Sequence, residues 1–313
     1  MNITCIGHIT RDKIVTPTQT VYMAGGTTTY VARGIKSFLS PETPGSEHPT
    51  DFTLIAALAP NDHSIVEQMR QDGLNVLTID STETTFFENI YGLDSSDRKQ
   101  RVRSTGDPFS IEKLFSLLEP MRKLPERPYI ILGSLLAEDF PLDVVKYCRQ
   151  IGHVVMDAQG YFRHVCFEQD IEGNRIGRVD ECDWTDKSEF LANIDILKLN
   201  ENEAYRITQE QDLHQAAIDL HQGGVREVLL TLGRQGSIVA AGGEIYDIPA
   251  VPERQTVDAT GCGDTYVMAY IYRRSMGDSP YDAAQFASAA ATMKLEGNGP
   301  LNATEAEVRA RML

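Results

Sequence analysis

The sequence is poor in basic residues and has no long apolar segment. Its 313 residues include 29 lysines and arginines against 45 aspartates and glutamates, which gives a net charge of −16. A basic surface of the kind that binds nucleic acid is therefore not expected. No stretch approaches the roughly 18 consecutive apolar residues of a membrane-spanning helix, and the N-terminus does not follow the pattern of a signal peptide. We expect neither a nucleic-acid partner nor a membrane partner.

Cysteine usage gives no sign of a disulfide-stabilised fold. The five cysteines are scattered, their number is odd, and no two of them have the spacing of metal ligands. This usage favours a reduced, cytoplasmic environment. With 42% hydrophobic and 24% charged residues, the chain has the composition of a globular protein with a large core. Its length suits one large domain with a small appendage, and we assign residues 1–313 to a single domain.

Short apolar runs alternate with helix-like segments through most of the chain. This alternation is typical of βαβ units and predicts an α/β fold, with a doubly wound and mostly parallel sheet flanked by helices. In such sheets, ligands bind beyond the carboxyl ends of the strands. The predicted strands are at residues 3–7, 52–58, 129–133, 154–157, 194–200 and 228–233, and the predicted helices at 28–38, 64–71, 111–118, 142–150 and 213–222.

A smaller β region is predicted beside this sheet. Residues 84–93 and 99–104 have the pattern of two strands, and residues 15–24 have the pattern of a third. Together they predict a small, discontinuous β lid over approximately residues 13–26 and 83–104. The alternative is an ordinary surface hairpin.

The lid has apolar residues on both of its faces. Alternation along the strand places Phe87, Tyr91 and Leu93 on one side and Phe86 and Ile90 on the other. Covering the main domain needs only one of these sets. Either the lid mediates a homodimer through its outer face, or it folds over and buries both sets within one chain.

Two segments are predicted to lack regular structure. Residues 94–97 have the composition of a polar turn within the lid, and residues 160–190 contain turn signals and many charges.

The strongest chemical signal is the segment 258–264, DATGCGD, directly before a predicted helix. Small residues at this place leave backbone N–H groups free, and the helix dipole adds positive potential. The amides of Gly261, Cys262 and Gly263 can therefore form an anion hole for a transferring phosphoryl group. Asp264 can act as the general base that accepts the proton of an attacking hydroxyl. Alternatively, the segment is a tight turn with an acidic helix cap.

This segment resembles the D-T-x-G-A-G-D signature of the ribokinase-like carbohydrate kinases, also called the phosphofructokinase-B (pfkB) family. Ala259 and Cys262 replace the usual Thr and Ala. Further motifs follow in the family's order, so the resemblance covers nearly the whole chain. They are a first strand followed by Asp12, the pair Gly25-Gly26, the N-x-x-E motif from Asn200 to Glu203, the turn TLGRQG at 231–236 and the small-residue helix FASAAA at 286–291.

The resemblance implies an ATP-dependent kinase that transfers the γ-phosphate to a hydroxyl of a sugar or polyol. It implies Mg²⁺ held through water at Glu203, and a monovalent cation such as K⁺ near Asp258 and the Thr260 carbonyl. Substrate contacts are implied at Asp12, Gly25, Gly26, Thr27, Thr28, Tyr30 and Gln159. Nucleotide contacts are implied at Asn200, Glu203, Thr231, Gly233, Gly236 and Ser288.

Departures from the family pattern bear on the substrate. Tyr30 stands where the family's ribose kinases carry Asn, and Ser134 stands near the place of their substrate-binding Glu. Ribose is therefore disfavoured. Residues 133–136, residues 157–160 and the Thr-rich run that precedes Tyr30 are similar to inositol-kinase-like members instead.

Two alternatives share this fold: a catalytically inactive sensor that binds nucleotide or sugar, and a nucleoside kinase. Other classes lack their motifs. The first strand is not followed by the G-x-G-x-x-G of a nicotinamide dehydrogenase, and the chain has no G-x-x-x-x-G-K-[ST] of a P-loop kinase.

Cys262 has two interpretations. A helix start lowers a thiol pKa, which would make Cys262 sensitive to thiol reagents. The neighbouring Asp258 and Asp264 disfavour a thiolate, and a buried cysteine is an inert small hydrophobe.

Overall fold

The computed structural model describes residues 2–39, 51–91, 98–169, 172–173 and 175–312. Fifteen strands and ten α-helices are found in this part of the chain. The strands are β1 (Ile3–His8), β2 (Thr10–Val15), β3 (Thr20–Gly25), β4 (Phe52–Leu58), β5 (Asn75–Asp80), β6 (Phe86–Tyr91), β7 (Arg98–Ser104), β8 (Tyr129–Gly133), β9 (His153–Asp157), β10 (Arg163–Gln169), β11 (Arg175–Glu181), β12 (Ile196–Asn200), β13 (Glu227–Thr231), β14 (Ser237–Ala241) and β15 (Glu244–Ile248). The helices are α1 (Thr27–Phe38), α2 (His63–Gln71), α3 (Ile111–Leu118), α4 (Leu142–Ile151), α5 (Lys187–Leu191), α6 (Glu201–Thr208), α7 (Leu213–Gln222), α8 (Cys262–Ser275), α9 (Pro280–Leu295) and α10 (Glu305–Arg311).

The larger sheet has nine strands in the order β15-β14-β13-β12-β9-β8-β1-β4-β5. Seven of them run parallel, and β14 and β15 add an antiparallel edge. The prediction of a mostly parallel α/β sheet is confirmed. Strands β1 and β8 are buried along their whole length, because helices cover both faces of the sheet. Helices α1, α2, α8, α9 and α10 contribute to the apolar core on one face, and α3 to α7 to the core on the other.

A second sheet of six strands has the order β10-β11-β7-β6-β2-β3. It contains the strands predicted for the lid, with two differences. The third strand predicted over residues 15–24 is found as β3, but it begins only at Thr20, because a turn at residues 16–19 separates it from β2. The irregular structure predicted for residues 160–190 is wrong, because β10 and β11 form an antiparallel hairpin there that extends the sheet. The polar turn predicted at 94–97 lies outside the described residues.

One face of the second sheet packs against the main domain. Phe87 and Val102 are buried together with Leu135 and Leu136, which follow β8. On the other face Phe86 is half-buried under the guanidinium of Arg11, whose central carbon lies 5.1 Å from the ring centre. The side chain of Tyr91 and the whole of Leu93 lie outside the described residues. Homodimerisation through the lid stays a prediction.

The carboxyl ends of the parallel strands bring separate parts of the sequence together. Gly7 of β1 pairs with Gly133 of β8, Lys198 of β12 with Asp157 of β9, and Asn200 with Thr231 of β13. The polar segments that follow these strands therefore share one edge of the sheet. Among the helices built from described residues, none is both long and apolar enough to cross a membrane.

Candidate active site

Asp264 lies in the first turn of α8, at the centre of the sheet edge. The helix begins where Gly261 adopts a left-handed backbone conformation, with φ of 80°. Ten of the fourteen residues in α8 are buried, since this helix packs between α1 and α9. Thr27, the first residue of α1, lies close enough to the Asp264 carboxylate for its hydroxyl to lower the pKa of that carboxyl. Two segments more than 200 residues apart in the sequence therefore meet at this carboxylate.

The surroundings of Asp264 raise its pKa to about 6. Burial is the main cause, and the negative charge of Asp157 adds to it. The hydroxyl of Thr27 and the positive charge of Lys198 act in the opposite direction. A carboxylate with this pKa is ionised at neutral pH and still basic enough to accept a proton from a reacting hydroxyl.

Lys198 is a site residue that the sequence analysis missed. Its side chain leaves the middle of β12, is only 8% exposed, and places its ammonium 2.8 Å from a carboxylate oxygen of Asp157. Burial alone would lower the pKa of Lys198, but the charges of Asp157, Glu203 and Asp264 raise it overall. A lysine inside the apolar run ILKLN was the available signal, because buried lysines are rare unless they are paired.

The start of α8 is closely packed at two glycines, Gly261 at its N-cap and Gly263 in its first turn. A Cβ on Gly261 would overlap the ring of Tyr30, and a Cβ on Gly263 would lie 3.0 Å from the Lys198 ammonium. The amide of Cys262 donates to the Ala259 carbonyl at 3.2 Å. Within the described residues, no backbone acceptor is found for the amides of Gly261, Gly263 and Asp264. These three amides are therefore available to an anion, whereas the Cys262 amide, predicted to belong to the anion hole, is already bonded.

The double glycine brings Asp12 to the same region. Asp12 lies on β2, opposite Met23 of β3, and its carboxylate accepts a hydrogen bond from Thr10 at 2.7 Å. A Cβ on Gly25 would collide with this carboxylate. Gly26 has φ of 86° and forms the N-cap of α1, which directs Thr27 toward Asp264.

Three other residues predicted to contact substrate have different surroundings. Thr28 is buried, and its hydroxyl donates to the His8 carbonyl at 2.7 Å. Tyr30 is buried with its ring against Gly261. Gln159 is exposed and lies two residues after Asp157, to whose carboxylate its amide donates. Of the residues in the Thr-rich run, Thr27 is therefore the one whose side chain lies near the Asp264 carboxylate.

The N-x-x-E motif forms a capping box at the start of α6. The side chain of Asn200 accepts from the Glu203 amide at 2.9 Å, and the Glu203 carboxylate accepts from the Asn200 backbone and side-chain amides, both at 2.8 Å. Burial and the charge of Asp157 raise the pKa of Glu203. Both residues line an open groove of about 760 Å³ between α6 and the second sheet, which also includes Gln159, Arg163 and Arg206. Asp264 and Asp12 do not line that groove.

The other residues predicted to bind nucleotide lie around one end of the sheet. Thr231 ends β13 beside Asn200. Gly233 is exposed, and both it and Gly236 have positive φ, 56° and 97°. The hydroxyl of Ser288 on α9 donates to the Pro249 carbonyl at 3.0 Å, so this side chain connects α9 to the segment after β15.

Among the described residues, no group of three or more His, Cys, Asp or Glu side chains could hold a metal ion. The carboxylates of Glu203, which is buried, and Asp157, which is half-buried, fit a magnesium ion that keeps several of its waters and binds phosphate oxygens.

The segment expected to bind a monovalent cation already contacts an ammonium group. The side chain of Lys294 on α9 is fully buried, and its nitrogen lies 2.9 Å from the Asp258 carbonyl and 3.3 Å from the Asp258 carboxylate. The other carboxylate oxygen of Asp258 accepts a hydrogen bond from the Thr260 amide.

Burial raises the pKa of Cys262 to about 11, although the positive charge of Lys294 acts in the opposite direction. The interpretation of Cys262 as a packed thiol is thereby favoured.

This fold and this site define a ribokinase-like α/β protein. The solved structure of a pyrophosphate-dependent kinase in the ribokinase family, complexed with a pyrophosphate analog and myo-inositol, superposes with a TM-score of 0.74 at 23% identity, covering 98% of this chain and 99% of that one. The Arabidopsis thaliana ribokinase complexed with ribose and ATP superposes with a TM-score of 0.72 at 22% identity, covering 99% and 98%. Residues 137–307 match the pfkB family of carbohydrate kinases. They make up more than half of the chain, which therefore belongs to this family.

Sequence relatives match over a shorter stretch. Ribokinase of Arabidopsis thaliana is 35% identical over 120 residues, which is 36% of this chain and 32% of the relative. Ribokinase of Staphylococcus aureus is 31% identical over 118 residues, 36% of this chain and 38% of the relative. The chain thus aligns with about a third of the length of these curated relatives.

Proposed function

We propose that this protein is an ATP-dependent kinase that phosphorylates a hydroxyl of a sugar or polyol, with Asp264 as general base. One observation carries the proposal: the Asp264 carboxylate, with a pKa of about 6, lies at the helix start where the amides of Gly263 and Asp264 are available to an anion. A base beside an anion site is the arrangement that phosphoryl transfer to a hydroxyl requires.

Each group has a defined part in the proposed reaction. Asp264 accepts the proton of the acceptor hydroxyl while the hydroxyl oxygen forms a bond to the γ-phosphorus of ATP. The bond between the γ-phosphorus and the oxygen that bridges it to the β-phosphate breaks, and ADP is released. The amides of Gly263 and Asp264 and the Lys198 ammonium would stabilise the charge on the transferring phosphoryl oxygens. Magnesium bound with ATP would neutralise charge on the phosphates. Glu203 and Asp157 would orient its waters.

The acceptor is proposed to bind between Asp12 and Thr27. A carboxylate such as Asp12 can accept hydrogen bonds from two vicinal hydroxyls, and such bonds are strong because one partner is charged. Vicinal hydroxyls are common to sugars and cyclic polyols. The likeness to a structure that holds myo-inositol supports testing cyclic polyols first. Tyr30, buried against Gly261, would act by supporting the loop.

The test is a two-dimensional activity panel. Purified protein is assayed with ATP or pyrophosphate as donor against myo-inositol, ribose, fructose, 2-keto-3-deoxygluconate and nucleosides, with the phosphorylated product identified by mass spectrometry. The proposal expects turnover of a sugar or polyol with ATP. Turnover with pyrophosphate but not with ATP would show that the proposed donor is wrong. Turnover of nucleosides but not of sugars or polyols would show that the proposed acceptor class is wrong. ATP binding without turnover of any acceptor would favour the sensor alternative.

A matched pair of variants tests the base. Asp264→Asn should lower kcat by roughly 10²- to 10⁴-fold while ATP binding persists. Asp219→Asn is the control, because Asp219 is exposed on α7 outside the site. Near-normal turnover by Asp264→Asn would exclude Asp264 as the base.

A further inference from the structure

Lys294 connects two segments that meet behind the catalytic loop. Its buried ammonium contacts the carbonyl and the carboxylate of Asp258, and it also lies 3.2 Å from the Gly297 carbonyl. Three oxygen contacts match its three N–H donors. The same two segments are joined by backbone bonds, since the amides of Val257 and Asp258 both donate to the Leu295 carbonyl.

The place is electronegative for two independent reasons. Lys294 and Leu295 are the last residues of α9, where the helix dipole and free carbonyls carry negative potential. Asp258 adds a carboxylate. A cation surrounded only by carbonyl and carboxylate oxygens has the surroundings that a potassium ion would require, and the ammonium group supplies the same charge.

The loop depends on this cation through Asp258. One oxygen of the Asp258 carboxylate contacts Lys294, and the other accepts from the Thr260 amide at 2.9 Å. Thr260 directly precedes Gly261, where the chain turns into α8. The charge of Lys294 also acts on Cys262, so its electrostatic field extends to the loop that would hold phosphate.

We propose that the Lys294 ammonium is a built-in monovalent cation that holds the catalytic loop in shape, so that the protein needs no potassium from solution. This inference rests on the proposed kinase function for its catalytic consequence, but its structural consequence is independent of that function. Lys294 is a positioning residue, because it acts through Asp258 and contacts no reacting atom.

The first experiment compares salts with the unaltered protein. Activity is measured in potassium, ammonium and tetramethylammonium chloride at one ionic strength, and we expect equal rates. The melting temperature should likewise be the same in the three salts. Stimulation of the unaltered protein by potassium, saturating with concentration and accompanied by a higher melting temperature, would overturn the proposal.

The second experiment removes the Lys294 ammonium, so that the site would need a cation from solution. Lys294→Ala leaves a space for an ion, and it should lower kcat by roughly 10- to 100-fold, as is typical for groups that orient a site. Potassium or ammonium should restore the rate in a saturable way and raise the melting temperature, whereas tetramethylammonium should do neither. Lys294→Met fills the space without charge and should not respond to any salt.

The control is Lys187→Met. Lys187 also donates to backbone carbonyls, to Ile207 at 2.6 Å, but near the end of α6. This variant should keep full activity in all three salts. A folded Lys294→Ala with full activity and no salt response would overturn the proposal. If Lys294→Ala does not fold, the salt comparison on the unaltered protein decides. Lack of kinase activity in the unaltered protein would count against the proposed function, while the melting-temperature measurements would still test the cation site.

Discussion

The ammonium of Lys198 and the carboxylate of Asp157 lie 2.8 Å apart, side by side on the neighbouring strands β12 and β9. The pair stands between two carboxylates whose pKa values are raised, Glu203 and Asp264, and it influences both. Lys198 lowers the pKa of each, and Asp157 raises it. The ionisation of the proposed base is therefore set by a lysine and an aspartate that come from different strands.

Replacing Lys198 should change the pH dependence of the reaction as well as its rate. Without the ammonium, the pKa of Asp264 rises further, since the charge that favours its ionised form is lost. We expect Lys198→Met to lower kcat by at least about 10-fold and to move the acid limb of the pH profile to higher pH. The measurement is kcat/KM from pH 5 to 9 for both proteins.

Lys198→Arg is the matched control for charge. It should keep the acid limb near that of the unaltered protein even if the rate falls. A Lys198→Met profile with an unchanged acid limb would show that Lys198 does not interact with the base.

The unaltered protein should itself lose activity as the pH falls through about 6. Asp264 must be ionised to accept a proton, and its pKa is about 6. Below that value kcat/KM should fall at least about tenfold per pH unit. A limb near pH 4 would contradict the raised pKa.

The same shift predicts a stability effect of known sign. The pKa of Asp264 is higher in the folded protein than its ordinary value of 3.8, so its ionised form destabilises the fold above about pH 6 and the penalty disappears below about pH 4. Asp264→Asn should therefore melt at a higher temperature than the unaltered protein at pH 8, with the difference shrinking by pH 4. Differential scanning calorimetry at the two pH values measures this.

Much of the fold could be predicted because buried parallel strands leave an unambiguous pattern. The strands β1, β4, β8, β9, β12 and β13 lie within two residues of their predicted bounds. The hairpin of β10 and β11 could not, since its strands, RHVCFEQ and RIGRVDE, are rich in charged residues and lie in a segment with turn signals. The antiparallel β14 and β15 were not predicted for a related reason: they follow the last parallel strand through a short turn that the βαβ pattern does not contain.

Residues of the candidate site could be predicted where a short motif marks them in the sequence. They could not be predicted where their place depends on a partner from a distant segment. The loop around Gly261 and the carboxylate of Asp264 follow from their own short motif. Lys198 and Lys294 do not, because each is explained only by a partner from a distant segment, Asp157 or Asp258. The same limit explains why the whole Thr-rich run was predicted to contact substrate, although the Thr28 hydroxyl donates a hydrogen bond to the His8 carbonyl.

Asp12 should determine acceptor affinity, and Gly25 should be necessary for its placement. Asp12→Ala should raise the acceptor KM while the ATP KM stays unchanged, because the carboxylate is proposed to contact the acceptor and not the donor. Gly25→Ala should produce the same pattern, since an added Cβ would displace the Asp12 carboxylate. Steady-state kinetics with each substrate varied in turn separates the two constants. An equal rise in both KM values would show a general disturbance of the site instead.

Cys262 should be slow to react with thiol reagents in the folded protein. Its pKa is about 11, raised first by burial and further by the charges of Asp258 and Asp264. The thiolate is the reactive form, so at pH 7.5 only a very small fraction of Cys262 is available to iodoacetamide. Alkylation followed by peptide mass spectrometry should find Cys262 modified more slowly in the native protein than in the unfolded one. Cys262→Ala should keep activity, because the Cys262 side chain is partly buried and takes no part in the proposed chemistry. Rapid modification of native Cys262 that ATP prevents would contradict this and restore the interpretation of a reactive thiol facing the phosphate site.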